Sequence, residues 1–378
     1  MLRFLTAGES HGPAVTAILE GLPAGLRLSS SYIQKDLDKR KAGMGRGGRG
    51  LIETDQVEIL SGIRQGKTIG SPITMQIMNR DYTNWEKEKV PQVSNPRPGH
   101  ADLAGFLKYG FSDIRNVLER ASARETVARV AVGAICRKLL SAFDINITSH
   151  SVAIGQERIS RQDYSFEEVS GVFRSDPDTR CIDKVAAKKM KEAILKAIKE
   201  KNTLGGIVEV LAENMPVGLG SYVHFDRKLD GRLAQALMSI PSVKAVEIGS
   251  GIASSGKSGS DVHDRLFLRK GKITRKTNNA GGLEGGVTNG EMLILRVFHK
   301  PLSTLGNPLK TVDLASKKES VALSERSDIC VVPRAGVISE AMTAYVLSDA
   351  FLEKFGSDNL NDIKNSFTRY LKRIKKLL

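Results

Sequence analysis

The sequence predicts an α+β protein. Three observations lead there: Val- and Ile-rich segments bounded by Gly or Pro, segments with the helical 3.6-residue period, and an order of the two that does not alternate as a doubly wound parallel sheet requires. The strand-like segments are 13–19 (PAVTAIL), 56–60, 72–78, 206–212, 243–248 and 292–298 (MLILRVF). Helical periodicity runs over 30–40, 122–142, 182–201, 229–240 and 338–355. In 182–201, Ile182, Val185, Ala186, Ala193, Ile194, Ala197 and Ile198 form one apolar face, and the lysines opposite read as a solvated face. The last segment, KNSFTRYLKRIKKLL, is basic and amphipathic and reads as an exposed terminal helix. No internal repeat and no low-complexity linker stands out. Residues 1–378 therefore read as one domain with a basic helical tail from about 357 to 378.

Composition narrows the class. Of 378 residues, 40% are hydrophobic and 26% charged, which excludes a wholly disordered chain. Lys and Arg number 57 against 42 Asp and Glu, a net +15 that favours an anionic partner without choosing among nucleic acid, membrane and phosphorylated metabolite. Cys136, Cys181 and Cys330 stand far apart with no CxxC pair, so neither a zinc ribbon nor a thioredoxin-type site is expected, and no metal. Sparse cysteine fits a reducing compartment. The start, MLRFLTAGESHG, does not read as a signal peptide, and no apolar run reaches the ~18 residues of a membrane span. A cytoplasmic protein is expected.

Several motifs invite chemistry. Gly251 to Ser258 (GIASSGKS) fits the P-loop pattern GxxxxGK[ST] and follows a strand-like segment. The residues after it lack the helical period that a P-loop must open, so a glycine-serine loop is the better reading. Gly8-Glu9-Ser10-His11-Gly12 and Arg97-Pro98-Gly99-His100-Ala101-Asp102 each hold a histidine in a rigid glycine setting, and Asp102 is placed to orient His100; an ordinary turn explains either one equally well. Arg40 to Gly50 is basic and glycine-rich. It suits RNA or a small polyanion, although no aromatic is interleaved for base stacking. Ser122 and Glu125 have capping-box spacing, which predicts a helix start flanked by Arg120 and Arg124, and an anion there would offset the cost of the two cations. Asn278 to Gly286 (NNAGGLEGG) suggests close backbone approach to a ligand.

Taken in order, GESHG, RPGHAD, RASARET, NNAGGLEGG and the Arg326–Asp328 segment resemble the chorismate synthase family, from about Leu2 to about Phe355. The resemblance implies a β-α-β sandwich, with helices packed between two antiparallel sheets, assembled as a homotetramer. It implies a lyase that converts 5-enolpyruvylshikimate-3-phosphate to chorismate and phosphate by 1,4-anti elimination with reduced FMN. His11 would protonate the leaving phosphate, His100 the reduced flavin, and Asp328 would assist loss of the C6 hydrogen. Arg40, Arg46, Arg49, Arg97 and Arg124 would hold the substrate. FMN contacts would fall on Arg120, Ala121, Ser122, Pro241, Ser242, Gly285, Lys300, Pro301, Leu302, Ser303, Thr304 and Arg326.

The sequence departs from the family pattern at Ala121, where many members have Ser, at Ser327, where many have His, and at Pro241, commonly polar. The length resembles monofunctional members, with no segment for reducing flavin with NADPH, so a separate reductase is expected. A P-loop enzyme and a basic RNA-binding protein are the competing readings.

Overall fold

The computed structural model describes residues 1–47, 53–82, 85, 92–161, 163–325 and 327–376. The chain begins with strands β1 (Arg3–Ala7) and β2 (Ala14–Glu20), helix α1 (Ser30–Lys41), β3 (Val57–Ile59), the hairpin β4 (Ile63–Arg64) and β5 (Lys67–Thr68), and β6 (Ile73–Met78). Helices α2 (Asp102–Tyr109), α3 (Arg115–Ala121) and α4 (Thr126–Ser141) follow. The second half contains β7 (Asn146–Ile154), β8 (Glu157–Arg158), α5 (Lys184–Lys199), β9 (Gly206–Glu213), α6 (Leu229–Met238) and β10 (Val243–Ile248). It continues through the hairpins β11 (Leu266–Arg269)–β12 (Lys272–Arg275) and β13 (Leu283–Glu284)–β14 (Val287–Thr288) to β15 (Leu293–His299). A last hairpin, β16 (Lys310–Asp313)–β17 (Lys318–Val321), precedes α7 (Val332–Phe355) and α8 (Leu360–Lys375).

Two antiparallel sheets, ordered β1-β2-β6-β3 and β10-β15-β9-β7-β8, enclose a helical layer. α4 packs against β2 and β6 on one side and α7 on the other, while α7 packs against β7 and β9. The sandwich implied by the resemblance is the observed architecture. Local chemistry sets the helix starts: Ser29 accepts from the Tyr32 N–H, and Asp183 from Val185 and Ala186. α7 is apolar nearly all round, as a helix buried between layers must be. Its centre lies against α4 at Gly133, where an added Cβ would sit 2.2 Å from the Ala341 Cβ.

The six expected strands and five expected helices form, with shifts of a few residues. α4 starts at Thr126 rather than 122, and α7 starts at Val332 rather than 338. The terminal helix packs Phe367 and Tyr370 onto Phe355, so one face of the basic tail is anchored. β1, β7, α2 and α3 were not anticipated. β7 (NITSHSVAI) is polar in sequence yet buried along almost its whole length, because both of its faces are covered.

The expectation of no internal repeat is wrong. Strands β1-β2-β6-β3 and β7-β9-β15-β10 have the same order, and a helix links the corresponding strands in each half. Glu20-x-x-Pro23-x-Gly25-Leu26 matches Glu213-x-x-Pro216-x-Gly218-Leu219, with Gly25 and Gly218 at φ +95° and +90°. Thr68 Oγ1 donates to the Pro23 carbonyl at 2.6 Å and accepts the Leu26 N–H at 3.0 Å. Thr288 Oγ1 donates to Pro216 at 2.6 Å and accepts from Leu219 at 2.8 Å. Segments 251–275 and 155–205 lengthen the second half, so the residue offset drifts and hides the repeat from a fixed-period reading.

Candidate functional site

The site is built where the β1–β2 loop meets the end of β6 and the α3–α4 junction. Asn79, just past β6, donates to the Gly12 carbonyl at 2.7 Å and accepts from Arg124 Nε at 2.7 Å. His11 Nδ1 lies 2.7 Å from Glu119 Oε1, and Ser10 Oγ donates to Ser122 Oγ at 2.9 Å. Arg40, at the end of α1, donates to Asp55 at 3.2 Å and to Thr126 Oγ1 at 2.9 Å. Arg124 also donates to Asp55, and its Nη2 lies 3.4 Å from Glu53. Burial, opposed by Asp55 and reinforced by Arg124, lowers the Arg40 guanidinium to about 10. Burial pushes the Asp55 carboxyl up, but Arg40 and Arg124 outweigh it and leave it below its usual range. Both arginines are therefore held by acidic side chains that the sequence reading missed, and nothing in the spacing of Glu53 and Asp55 marked them.

The RPGHAD segment closes on itself. Asp102, at the start of α2, accepts from Arg97 Nε at 2.8 Å and Nη2 at 3.0 Å, and its Oδ1 lies 2.5 Å from His100 Nδ1. Burial raises the Asp102 carboxyl, yet hydrogen bonds from His100 and Arg97 prevail and hold it far below the ordinary range. Arg97 Nη1 donates to Thr304 at 2.9 Å, and Lys300 Nζ to the Gly99 carbonyl at 2.6 Å. Two segments about 200 positions apart, 97–102 and 300–304, are thus one unit, with Pro301, Leu302 and Ser303 on the connecting turn. Burial lowers the Lys300 ammonium, and Lys244 adds to the effect.

Asp328 accepts the Gly47 N–H at 2.8 Å and pairs with Arg334, on the first turn of α7. It thereby ties the basic glycine-rich loop to the helical layer. Arg46 is lowered by burial and by Arg334, with Asp328 acting the other way. Arg49 and Arg326 lie outside the described residues.

A cleft of about 440 Å³ is lined by Phe4, Leu5, Thr6, Arg120, Ala121, Ser122, Glu125, Arg129 and Pro241. Arg120 donates to the Thr6 carbonyl at 3.0 Å, and Arg129 to Ser239 Oγ at 2.7 Å. Next to Pro241, Ser242 has φ +72°; its carbonyl accepts from Lys300 N at 2.9 Å, and its Oγ lies 3.0 Å from His299 Nδ1. Burial pushes His299 down to about 4. Gly285 is elsewhere: it tips the β13–β14 hairpin, beside the start of α6 and at the far end of β15 from Lys300. β15 alone spans about 20 Å, so a single chain does not bring Gly285 to this cleft.

Two motif readings change. Ser122 does not form a capping box: it accepts from Arg124 N over a 3-10 turn, while Glu125 turns to Thr6 at 2.8 Å and to Arg129. The helix-end anion site argued from that spacing is lost, because Arg124 is buried on Asp55 instead. Over 251–262, two one-turn helices, at Gly251–Ser254 and Gly259–Val262, stand in place of the single helix of a P-loop. Glu247 Oε1 accepts the Ile252 N–H at 2.7 Å, placing a carboxylate where a phosphate would need to sit.

The model of the chorismate synthase family matches residues 2–352. The chain belongs to the chorismate synthase family. A chorismate synthase of Carboxydothermus hydrogenoformans is 50% identical over 382 residues, covering 99% of each chain. One of Geotalea daltonii is 47% identical over 392 residues, covering 99% of this chain and all of the relative. A crystal structure of chorismate synthase superposes with a TM-score of 0.82 at 42% identity, over 99% of this chain and 98% of that one. Family membership leaves the P-loop and RNA-binding readings without support. Among the described residues no helix is long and apolar enough to cross a membrane.

Proposed function

We propose that this chorismate synthase family member is the lyase that converts 5-enolpyruvylshikimate-3-phosphate to chorismate and phosphate by 1,4-anti elimination. The observation that carries this reading is the pair of carboxylate-held histidines, His11 on Glu119 and His100 on Asp102, in a chain matched to the family almost end to end. His11 delivers a proton to the departing phosphate. His100 holds a second proton, with its ring fixed by Asp102. Arg46 and Arg49 would meet the substrate's anionic groups, and Arg97, buried on Asp102 and Thr304, would add positive field behind them. Arg40 and Arg124 supply positive field from behind Asp55.

The 440 Å³ cleft suits reduced FMN, with Arg120 and Arg129 for its phosphate and Phe4 and Leu5 against its rings. Ala121, Ser122, Pro241 and Ser242 would contribute mainly backbone, and Lys300 to Thr304 and Arg326 would complete the contacts. When bound, reduced FMN supplies an electron transiently and recovers it, so the reaction has no net redox change. A separate reductase supplies it in the cytoplasm, using NADPH. The chain works as a homotetramer. Exposed Tyr222, Val223, Phe225, Leu266 and Leu268 near the Gly285 hairpin supply apolar surface for a second copy, and only there would Gly285 meet a flavin.

The test is turnover without oxygen, with reduced FMN and the phosphorylated substrate. Chorismate and phosphate should appear in equal amounts, and His11→Ala and His100→Ala should each slow turnover by roughly 10²–10⁴-fold. Lys257→Ala, in the P-loop-like segment, should stay close to the parent. Absence of chorismate from the parent protein overturns the reading.

A further inference from the structure

The imidazole of His11 is held by a residue outside every motif the sequence singles out. Glu119, at the end of α3, places Oε1 2.7 Å from His11 Nδ1 and accepts the His11 backbone N–H through Oε2, also at 2.7 Å. The Glu119 carbonyl accepts the neighbouring Ser10 N–H at 2.8 Å. One glutamate therefore grips ring, main chain and adjacent residue, leaving the loop little freedom to turn. The indole of Trp85 covers the ring, with centroids 3.9 Å apart and planes at 36°. Trp85 is itself placed by the Arg115 guanidinium, 5.2 Å from its ring, and by donation to Asp81 at 3.2 Å. The His11 side chain is only 9% exposed, so its rotamer is set by these partners rather than by solvent.

We propose that Glu119 is the positioning residue for His11. Its carboxylate accepts the Nδ1–H, which makes Nε2 the nitrogen that carries the proton to the leaving group, and Trp85 closes the ring's face. The proposal rests on the reading of His11 as the acid. In the step, the carbon–oxygen bond of the phosphate ester breaks and its electron pair leaves on oxygen. Over the whole elimination the pair of the C6–H bond, relayed through the ring double bond, replaces it, and the C6 proton leaves toward Asp328, the residue read as assisting its removal. The Nε2 proton passes to the departing phosphate oxygen. His11 is left neutral with Nδ1–H still on Glu119, which remains a carboxylate, and solvent returns the proton. The ring nitrogen not engaged by the orienting acceptor is the one that does chemistry, and the acceptor selects it.

The test combines nitrogen NMR of the His11 ring, assigned by its loss in His11→Gln, with kinetics on the whole enzyme. In the parent, the neutral ring should carry its proton on Nδ1. Glu119→Ala should move the ring toward the Nε2–H tautomer and lower kcat by about 10–10²-fold, with KM changed less than about threefold. Glu119→Gln keeps an oxygen to accept the Nδ1–H, so it should restore the tautomer and most of the rate. An unchanged tautomer in Glu119→Ala overturns the proposal. So does a Glu119→Gln variant no better than Glu119→Ala, or a loss shared equally by kcat and KM. The tautomer is read without turnover. A parent that makes no chorismate therefore indicts the proposed function, whereas a parent that turns over alongside an unaffected Glu119→Ala indicts the dyad alone.

Discussion

Two buried side chains beside the candidate site respond to pH in different windows. His299 is pushed down to about 4 by burial, below the ~6.5 of an unfolded histidine. Between those values the unfolded chain binds a proton that the folded chain refuses. Stability therefore falls as pH drops from about 6.5 towards 4, by roughly 3 kcal/mol at full extent. His299→Gln should flatten that part of the stability profile in urea titrations at a series of pH values; an unaltered slope shows that His299 is not its source. Asp102 is held far below its unfolded value near 3.9, so its contribution is intact above about pH 4 and is lost only as pH falls further. At this scale the sequence was informative about the residues themselves and about one local partnership, Asp102 with His100, but not about distant ones. The glycine-flanked turns marked His11 and His100, and the spacing marked Asp102, at the start of α2, as the partner of His100. Glu53, Asp55, Asn79 and Glu119 were not marked, because the contacts that make them matter join residues 15 to more than 100 positions away, and local spacing carries no trace of them.

Each half of the sandwich is latched by one threonine. Thr68 and Thr288 are buried, and each satisfies a proline carbonyl and a leucine N–H in the turn after the second repeated strand, β2 or β9. Thr68→Val and Thr288→Val should each cost about 1–3 kcal/mol through the orphaned groups, and the double variant should show the sum, since the latches share no partner. Chemical denaturation of the three variants measures this, and clearly unequal costs would show that the two turns are not equivalent. Helices were the elements best read from sequence, because a buried stripe repeats over many residues and averages out exceptions. β1 was missed because five residues give too short a pattern. β7 was missed because its serines, threonine and histidine are buried by other elements rather than by their own chemistry.

The two halves meet at the crossing of α4 and α7, and Gly133 sets how closely they approach. A Cβ at 133 would overlap Ala341, with both helices fully packed and no space to yield. Gly133→Ala should destabilise by roughly 1–3 kcal/mol and lower the thermal midpoint, and Ala341→Gly in the same chain should recover part of the loss. If Gly133→Ala melts like the parent, the crossing is looser than the geometry indicates.

The α+β class, most strands of the two main sheets, most of the longer helices, the basic balance and the ordered motifs that point to the family are legible in the sequence alone. Each of these follows from composition or from patterns short enough to read along the chain. Only the tertiary structure decided how the motifs combine. It joined 97–102 to 300–304, buried Arg40 and Arg124 on Asp55, put Glu119 on His11 and set Gly285 apart from the cleft. It also revealed the repeat, whose two copies are related by hydrogen bonds and strand order rather than by a constant interval. Partnership across a fold depends on where the backbone returns, and neither residue type nor periodicity records that.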